Sequence, residues 1–349
     1  MWLLLACADP GAVRPAPTDY QLPGPHAVGY TTITLEDADR PLAVSVWFPT
    51  HDPPETAPIT TLYAAPEPAT TVGALLDASP EGCARRETTA RHEAKVLPGK
   101  SPLVLMSHCL ACSRQSMAQV AEQLVSWGFV VAAPDHYGAT LFDSLEGTEL
   151  EIDDDALLAR VDDLGRVLDA ALAQALPVEV DPLRIGLLGH SFGAVTVGRL
   201  LQDRPEPAAA VFVAAPPGNP LVGDVDVTRL DAPLLFYAMA EDHSIGVAGN
   251  LLIDQNLAAA PGPAWRVELE DGGHWSPSDL VGLTEGLMPG CGDATREEGG
   301  APFSYPDPAQ SRMISGGVAT AFFMFYLNDI EGADRWLSGQ SSPLQVEAP

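Results

Sequence analysis

Lysine is almost absent from this chain. Only Lys95 and Lys100 occur among 349 residues, and 18 basic residues face 47 acidic ones, for a formal charge of −29. That scarcity excludes a nonspecific nucleic-acid binder, because phosphate contact needs a basic surface. Anionic membranes would repel such a chain as well. No apolar run approaches 18 residues, which excludes a membrane-spanning helix. Internal repeats and long low-complexity tracts are also missing. What is present is globular in kind: 46% hydrophobic and 19% charged residues. The length fits one large α/β domain or two small ones, and no composition break demands a second. The acidity reads as a solubility or salt adaptation without a catalytic role.

Cysteine is scarce too, with five residues. Leu4-Leu5-Ala6-Cys7 has the form of a bacterial lipobox, although the apolar run is short and no Lys or Arg precedes it. The competing reading is a frayed terminus with a chance cysteine. On the first reading, residues 1–25 are a signal-like N-terminus and a Pro-rich tether, the protein is exported, and Cys7 carries a lipid anchor. Cys83, Cys109, Cys112 and Cys291 then suggest two structural disulfides, with three pairings open. Cys109-Leu110-Ala111-Cys112 is a CxxC. A redox pair usually opens a helix after a thioredoxin-type strand, and a zinc site needs two more placed ligands, so no metal is expected.

Residues 26–349 read as a single catalytic domain that alternates β-rich runs with helices, the pattern of a mostly parallel sheet covered on both faces. Strands are expected at 30–35, 42–48, 102–107, 129–133, 184–188, 208–214, 233–238 and 265–269. Helices are expected at 113–127, 150–175, 194–201, 247–259 and 309–327. The acidic residues Glu151, Asp153, Asp154 and Asp155 suit the first turns of the second helix. Residues 51–99 read as an irregular insertion with one short helix.

The expected strand at 184–188 runs straight into Gly189-His190-Ser191-Phe192-Gly193, a G-x-S-x-G elbow. A nucleophilic serine needs a sharp strand-to-helix turn, and the turn leaves no room for side chains at the flanking glycines. The following helix N-terminus offers N–H groups to an oxyanion. A serine hydroxyl also needs a base. On this scaffold the order is Ser, acid, His, which favours His274 over His243. The pair Gly272-Gly273 reads as a flexible loop that lowers the imidazole onto the serine. Asp242 is the preferred acid, with Glu241 beside it and Asp271 an outsider. Phe192 and Leu110 are the expected oxyanion N–H donors. His108 reads as a buttress of the loop and His136 as a structural loop residue. Tyr137 and Trp275 are candidates for lining the substrate cleft, with plain packing the competing reading.

These residues resemble the α/β-hydrolase superfamily. More narrowly, the chain is similar to the dienelactone-hydrolase-like group related to platelet-activating-factor acetylhydrolases and bacterial polyester hydrolases. The resemblance spans residues 30–337 and rests on Pro102-Leu103-Val104-Leu105-Met106-Ser107-His108, on Gly128-Phe129-Val130-Val131-Ala132-Ala133-Pro134-Asp135-His136, on the elbow and on Gly273-His274. Three departures stand out. Cys109 and Cys112 occupy positions where the group carries glycines, so a disulfide there would rigidify the oxyanion loop. The nucleophile is Ser191 where dienelactone hydrolases proper use cysteine. The strand after the elbow ends Ala214-Ala215-Pro216-Pro217 without a carboxylate, which moves the acid to the later loop.

The resemblance implies an α/β-hydrolase fold. No large cap domain is expected, since 18 residues (215 to 232) separate two strands. The implied activity is serine carboxylic-ester hydrolysis through an acyl-enzyme, without cofactor, on a small-molecule, lipid or polymeric ester. An amidase or peptidase with the same three residues, or a non-catalytic surface lipoprotein retaining the fold, are the alternatives.

Overall fold

The computed structural model describes residues 18–37, 40–63, 65–80, 83 and 86–349. Cys7 and most of the expected leader lie outside them. In chain order the elements are β1 (Ala27–Leu35), β2 (Leu42–Thr50), β3 (Ala57–Pro58), α1 (Pro66–Ala78), β4 (Glu87–Thr88), β5 (Arg91–His92), β6 (Ser101–Ser107), α2 (Ala118–Ser126), β7 (Val130–Pro134), α3 (Leu141–Glu146), α4 (Asp154–Leu172), β8 (Val180–His190), α5 (Phe192–Asp203), β9 (Ala209–Val213), β10 (Leu234–Met239), α6 (Gly246–Ala259), β11 (Ala264–Leu269), β12 (Asp293–Thr295), β13 (Pro302–Ser304), α7 (Pro308–Asn328), α8 (Ala333–Ser338) and β14 (Leu344–Glu347).

Ten strands form one sheet in the order β14-β11-β10-β9-β8-β6-β7-β2-β1-β5. The six from β11 to β7 run parallel, and β2, β1 and β14 add antiparallel pairings at the two ends. Both faces are buried, which explains why the inner strands read as continuous apolar runs. The period of two sorts their side chains. On β6, Val104 and Met106 join the core under α2, α7 and α8, while Leu103 and Leu105 join the core under α4, α5 and α6. On β10, Leu235, Tyr237 and Met239 face the first core, and Leu234, Phe236 and Ala238 face the second.

Several boundaries differ from expectation. The helix expected at 113–127 starts at Ala118, because Ser113, Gln115 and Ser116 are spent on contacts to Tyr63, Leu62 and residues 278–279. The helix expected at 150–175 is the shorter α4, and a separate helix, α3, precedes it. A Thr140–Asp143 capping box starts α3 and Gly147 ends it in a left-handed conformation. Asp153 caps α4 by accepting from the Ala156 N–H at 2.8 Å, so Glu151 lies before the helix. The insertion at 51–99 carries a 13-residue helix and three short strands. Its Tyr63, Val72 and Cys83 pack with Cys109, Cys112, Leu141, Trp275, Leu287 and Cys291 in a third apolar cluster at the carboxyl end of the sheet. The pairing left open resolves to Cys83–Cys291 and Cys109–Cys112. No helix among the described residues is long and apolar enough to cross a membrane.

Helix α7 sets the position of β8. Phe323 is fully buried and occupies the space that the missing side chain of Gly186 leaves open. Phe323→Ala should lower stability by about 3–5 kcal/mol in urea unfolding. Met313→Ala, on the same helix but 43% exposed, should stay within about 0.5 kcal/mol. Equal effects would remove Phe323 as the anchor.

Candidate active site

Strand β8 ends at His190 and helix α5 begins at Phe192, so Ser191 alone makes the turn. It does so at φ 55° and ψ −123°, a conformation that L-residues resist. Two contacts hold it there. The Ser191 N–H donates to the Val213 carbonyl on β9 at 2.9 Å, and the Ser191 carbonyl accepts from the Ala194 N–H at 2.8 Å. A Cβ on Gly189 would overlap the Gly193 backbone, and one on Gly193 would overlap the backbone of Ser107 and His108. The glycines therefore let strand, helix and the loop after β6 touch backbone to backbone. Ser191 makes no side-chain cap to its own helix. Its hydroxyl instead donates to His274 Nε2 at 2.8 Å.

His274 Nδ1–H donates to Asp242, with the two carboxylate oxygens at 2.9 and 2.8 Å. Asp242 is 1% exposed. Its Oδ1 also accepts the Ser244 and Ile245 N–H groups at 3.0 and 3.1 Å. The other two carboxylates considered are turned elsewhere. Arg296 binds Glu241 and Asp271 at 2.6 Å each. His243 pairs with Glu241 at 3.6 Å. Such a hydroxyl–imidazole–carboxylate line can move a proton off the serine as it attacks an electrophile.

The loop carrying His274 is not loose. A Cβ on Gly273 would collide with Pro289, Gly290 and Tyr305. Trp275 N–H donates to the Pro289 carbonyl at 2.9 Å. His190 Nε2–H donates to the His274 carbonyl at 2.9 Å, and the Trp275 ring stands edge-on to both imidazoles. The Gly272-Gly273 pair serves close packing, contrary to the expected flexibility.

Beside Ser191 lies a cleft of about 460 Å³ lined by Leu110, Leu141, Leu145, Ile152, Phe192 and Trp275, with Leu287 and Ser244 at its edges. Among the described residues, His274 is the only ionisable side chain in that lining. Tyr137 is not part of it; its side chain is 69% exposed. Trp275 is part of it. Leu110 and Phe192 sit together on the cleft wall. Phe192 is the first residue of α5, so its N–H has no partner within the helix.

Under the Leu110 loop lies a buried polar network. His108 Nε2 accepts the His136 N–H at 3.0 Å, and Ser107 Oγ lies 2.9 Å from His136 Nε2. His136 Nδ1 lies 3.2 Å from Asp163. Arg160 donates to the His108 carbonyl and, at 3.1 Å, to Thr196, whose hydroxyl donates to the Phe192 carbonyl at 3.0 Å. The Arg160 guanidinium also lies 4.8 Å from the Phe192 ring centre. His108 and His136 thus brace the loop. Burial holds both imidazoles well below the ordinary histidine range. Burial likewise pushes Asp163 up to about 6 against the opposing pull of Arg40, Arg166 and Arg160. Arg160, Asp163 and Thr196 were not foreseen. The signal for Arg160 and Asp163 was charge at the i+3 and i+6 positions after Leu157, on the buried stripe of α4, whereas Thr196 on α5 carried none.

Comparison with known proteins agrees with this fold. A family profile described as serine aminopeptidase, S33, matches residues 100–234. One described as platelet-activating factor acetylhydrolase, isoform II, matches residues 16–142. No curated protein sequence matches the chain. Among solved structures, a ferulic acid esterase from Streptomyces cinnamoneus superposes with a TM-score of 0.72 at 21% identity, over 95% of this chain and 99% of that one. The chain has the α/β-hydrolase fold.

His190 makes the site acid-sensitive. Burial, with the His274 charge second, lowers it to about 3. A histidine depressed in the folded state binds fewer protons there than when unfolded. Its stabilisation is complete above about 6.5 and is lost as pH falls toward 3. Asp163, raised by burial, works in the opposite direction below 6. His190→Gln isolates the term, since the amide still donates to His274. The stability advantage of wild type over the variant should shrink by roughly tenfold in folding equilibrium constant per pH unit below 6.5. A constant difference between pH 7 and 5 in urea titrations would refute it.

Proposed function

We propose that this chain, an α/β-hydrolase superfamily member and serine hydrolase related to ester hydrolases, cleaves neutral, apolar carboxylic esters through an acyl-enzyme. The observation that carries the reading is the Ser191–His274–Asp242 hydrogen-bonded line at the wall of an apolar cleft. Ser191 Oγ attacks the ester carbonyl as His274 Nε2 takes its proton. Asp242 keeps Nδ1 protonated and stabilises the imidazolium. The Phe192 and Leu110 N–H groups receive the oxyanion. His274 then protonates the departing alkoxide, and water releases the acid by the same steps in reverse.

The cleft volume lies in the small-ligand range of roughly 300–1,000 Å³. Its lining offers no cation to a free carboxylate, so the acyl group is neutral and apolar, short-chain, lipid-like or part of a polyester. A second reading, peptide or amide cleavage, is favoured by the S33 profile. An aminopeptidase must hold a free ammonium group, and the cleft lining has no carboxylate for it. Two disulfides fit a location in an oxidising compartment, outside the cytosol. Lipid attachment at Cys7 is the matching proposal for the leader.

Turnover of p-nitrophenyl esters should exceed that of matched anilides, and anilide preference would favour the second reading. Ser191→Ala should lower kcat by about 10⁴-fold or more and abolish fluorophosphonate labelling. Asp242→Asn should cost about 10⁴-fold, as expected when the imidazole loses its tautomer. Glu241→Gln should leave kcat near wild type. Labelling that persists in Ser191→Ala would remove the nucleophile.

A further inference from the structure

The loop after β6 has a covalent feature that the reaction above does not use. Cys109 and Cys112 are bonded across Leu110 and Ala111, with their Cα atoms 5.3 Å apart and neither residue exposed. Ala111 sits at φ 53°, a left-handed conformation that alanine resists. The Leu110 and Ala111 N–H groups donate to no acceptor among the described residues. Leu110 lines the cleft beside Ser191 and Phe192.

Both ends of this four-residue span are fixed independently. Before it, the His108 carbonyl is held by Arg160 and lies against Gly193, and His108 Nδ1–H donates to the Cys109 carbonyl at 2.6 Å. After it, the Cys112 carbonyl accepts the Leu141 N–H, and Cys112 makes a parallel bridge to Thr140 at the start of α3. Between these anchors the Sγ–Sγ bond is the cross-link that restrains the Leu110–Ala111 backbone, while the Leu110 side chain packs against the Leu157, Phe192 and Val195 cluster. Without it, Ala111 is free to relax to negative φ, which turns the Leu110–Ala111 peptide and, with both ends of the span held, shifts Leu110 and its N–H between them.

From this geometry we infer that the Cys109–Cys112 disulfide positions the Leu110 N–H as oxyanion donor, so the bond governs transition-state stabilisation and leaves substrate binding unchanged. The two cysteines are positioning residues. The inference rests on the serine-hydrolase reading of the site, but not on its preference for esters. A donor is effective only when its N–H meets the developing oxyanion at about 2.7–3.1 Å, and loss of one donor typically costs 10²–10³-fold in kcat. A dithiol such as dithiothreitol breaks the Sγ–Sγ bond. Two electrons and two protons pass to give the Cys109 and Cys112 thiols, and the dithiol leaves as its cyclic disulfide.

The test uses an alkyl trifluoromethyl ketone, whose adduct with Ser191 carries the same oxyanion as either an ester or an amide intermediate. Its affinity and the kinetic constants are measured for wild type, for Cys109→Ser/Cys112→Ser, and for Cys83→Ser/Cys291→Ser before and after dithiothreitol. In the last variant only the loop bond remains to be reduced. The expected result is a loss of about 10²-fold in ketone affinity and in kcat on losing the loop bond, with KM within a few-fold and recovery on reoxidation. Should either variant fail to fold, the other carries the measurement. Unchanged ketone affinity without the loop bond overturns the inference. So does a loss that appears in KM alone or does not recover on reoxidation. Wild type that binds the ketone but hydrolyses no ester defeats the ester reading and leaves this test intact.

Discussion

The site depends on one backbone contact. Helix α5 starts directly against the loop after β6, and the approach is possible because residues 189 and 193 have no side chain. That contact turns Ser191 out of the sheet at positive φ and sets the first amides of α5 beside Leu110. Everything else steadies the contact from outside. The Val213 carbonyl holds the turn from β9, Thr196 and Arg160 hold it from below, and the His190–His274 hydrogen bond ties the elbow to the His274 loop. The strained serine conformation persists because so many neighbours determine it.

How readily each part could be read from sequence follows from how local its cause is. The elbow was legible because its requirement is met within five residues, Gly189 to Gly193. The parallel strands themselves were legible because both faces of the sheet are buried and the strands are continuously apolar. Asp242 was harder. Glu241 and Asp271 are equally acidic and equally near in sequence to the loops concerned. What separates them is Arg296, which draws both away from His274 and lies on the β12 side of the fold. Tyr137 was misplaced for a similar reason: it follows the strand next to the site, but the turn after Pro134 sends its ring to solvent. The late start of α2 was invisible because its cause is Tyr63 and Asp279, distant segments that claim the polar residues of 113–116.

A few cations of this acidic chain are built into its framework. Arg160 is 1% exposed and bonded under the Leu110 loop, and Arg312 is 2% exposed beside Asp279. Arg86 donates to the Cys83 and Val281 carbonyls, and Arg114 pairs with Asp135. Removing one member of such a buried pair leaves the other uncompensated, so these arginines are structural in a way that surface charges are not. The described lining of the cleft, by contrast, has no aspartate, glutamate, lysine or arginine. Electrostatic organisation sits one layer behind the chemistry, where it orients carbonyls and amides without competing for substrate.

The bond between Cys83 and Cys291 joins residues 208 positions apart. Ser191, Asp242 and His274 all lie inside the covalent ring it closes. A protease that nicks one exposed turn within that ring, such as the segment at Leu221, which is 91% exposed, leaves a single molecule, because the two new ends remain tethered through sulfur. That topology turns a first proteolytic cut from a dissociation into a local lesion.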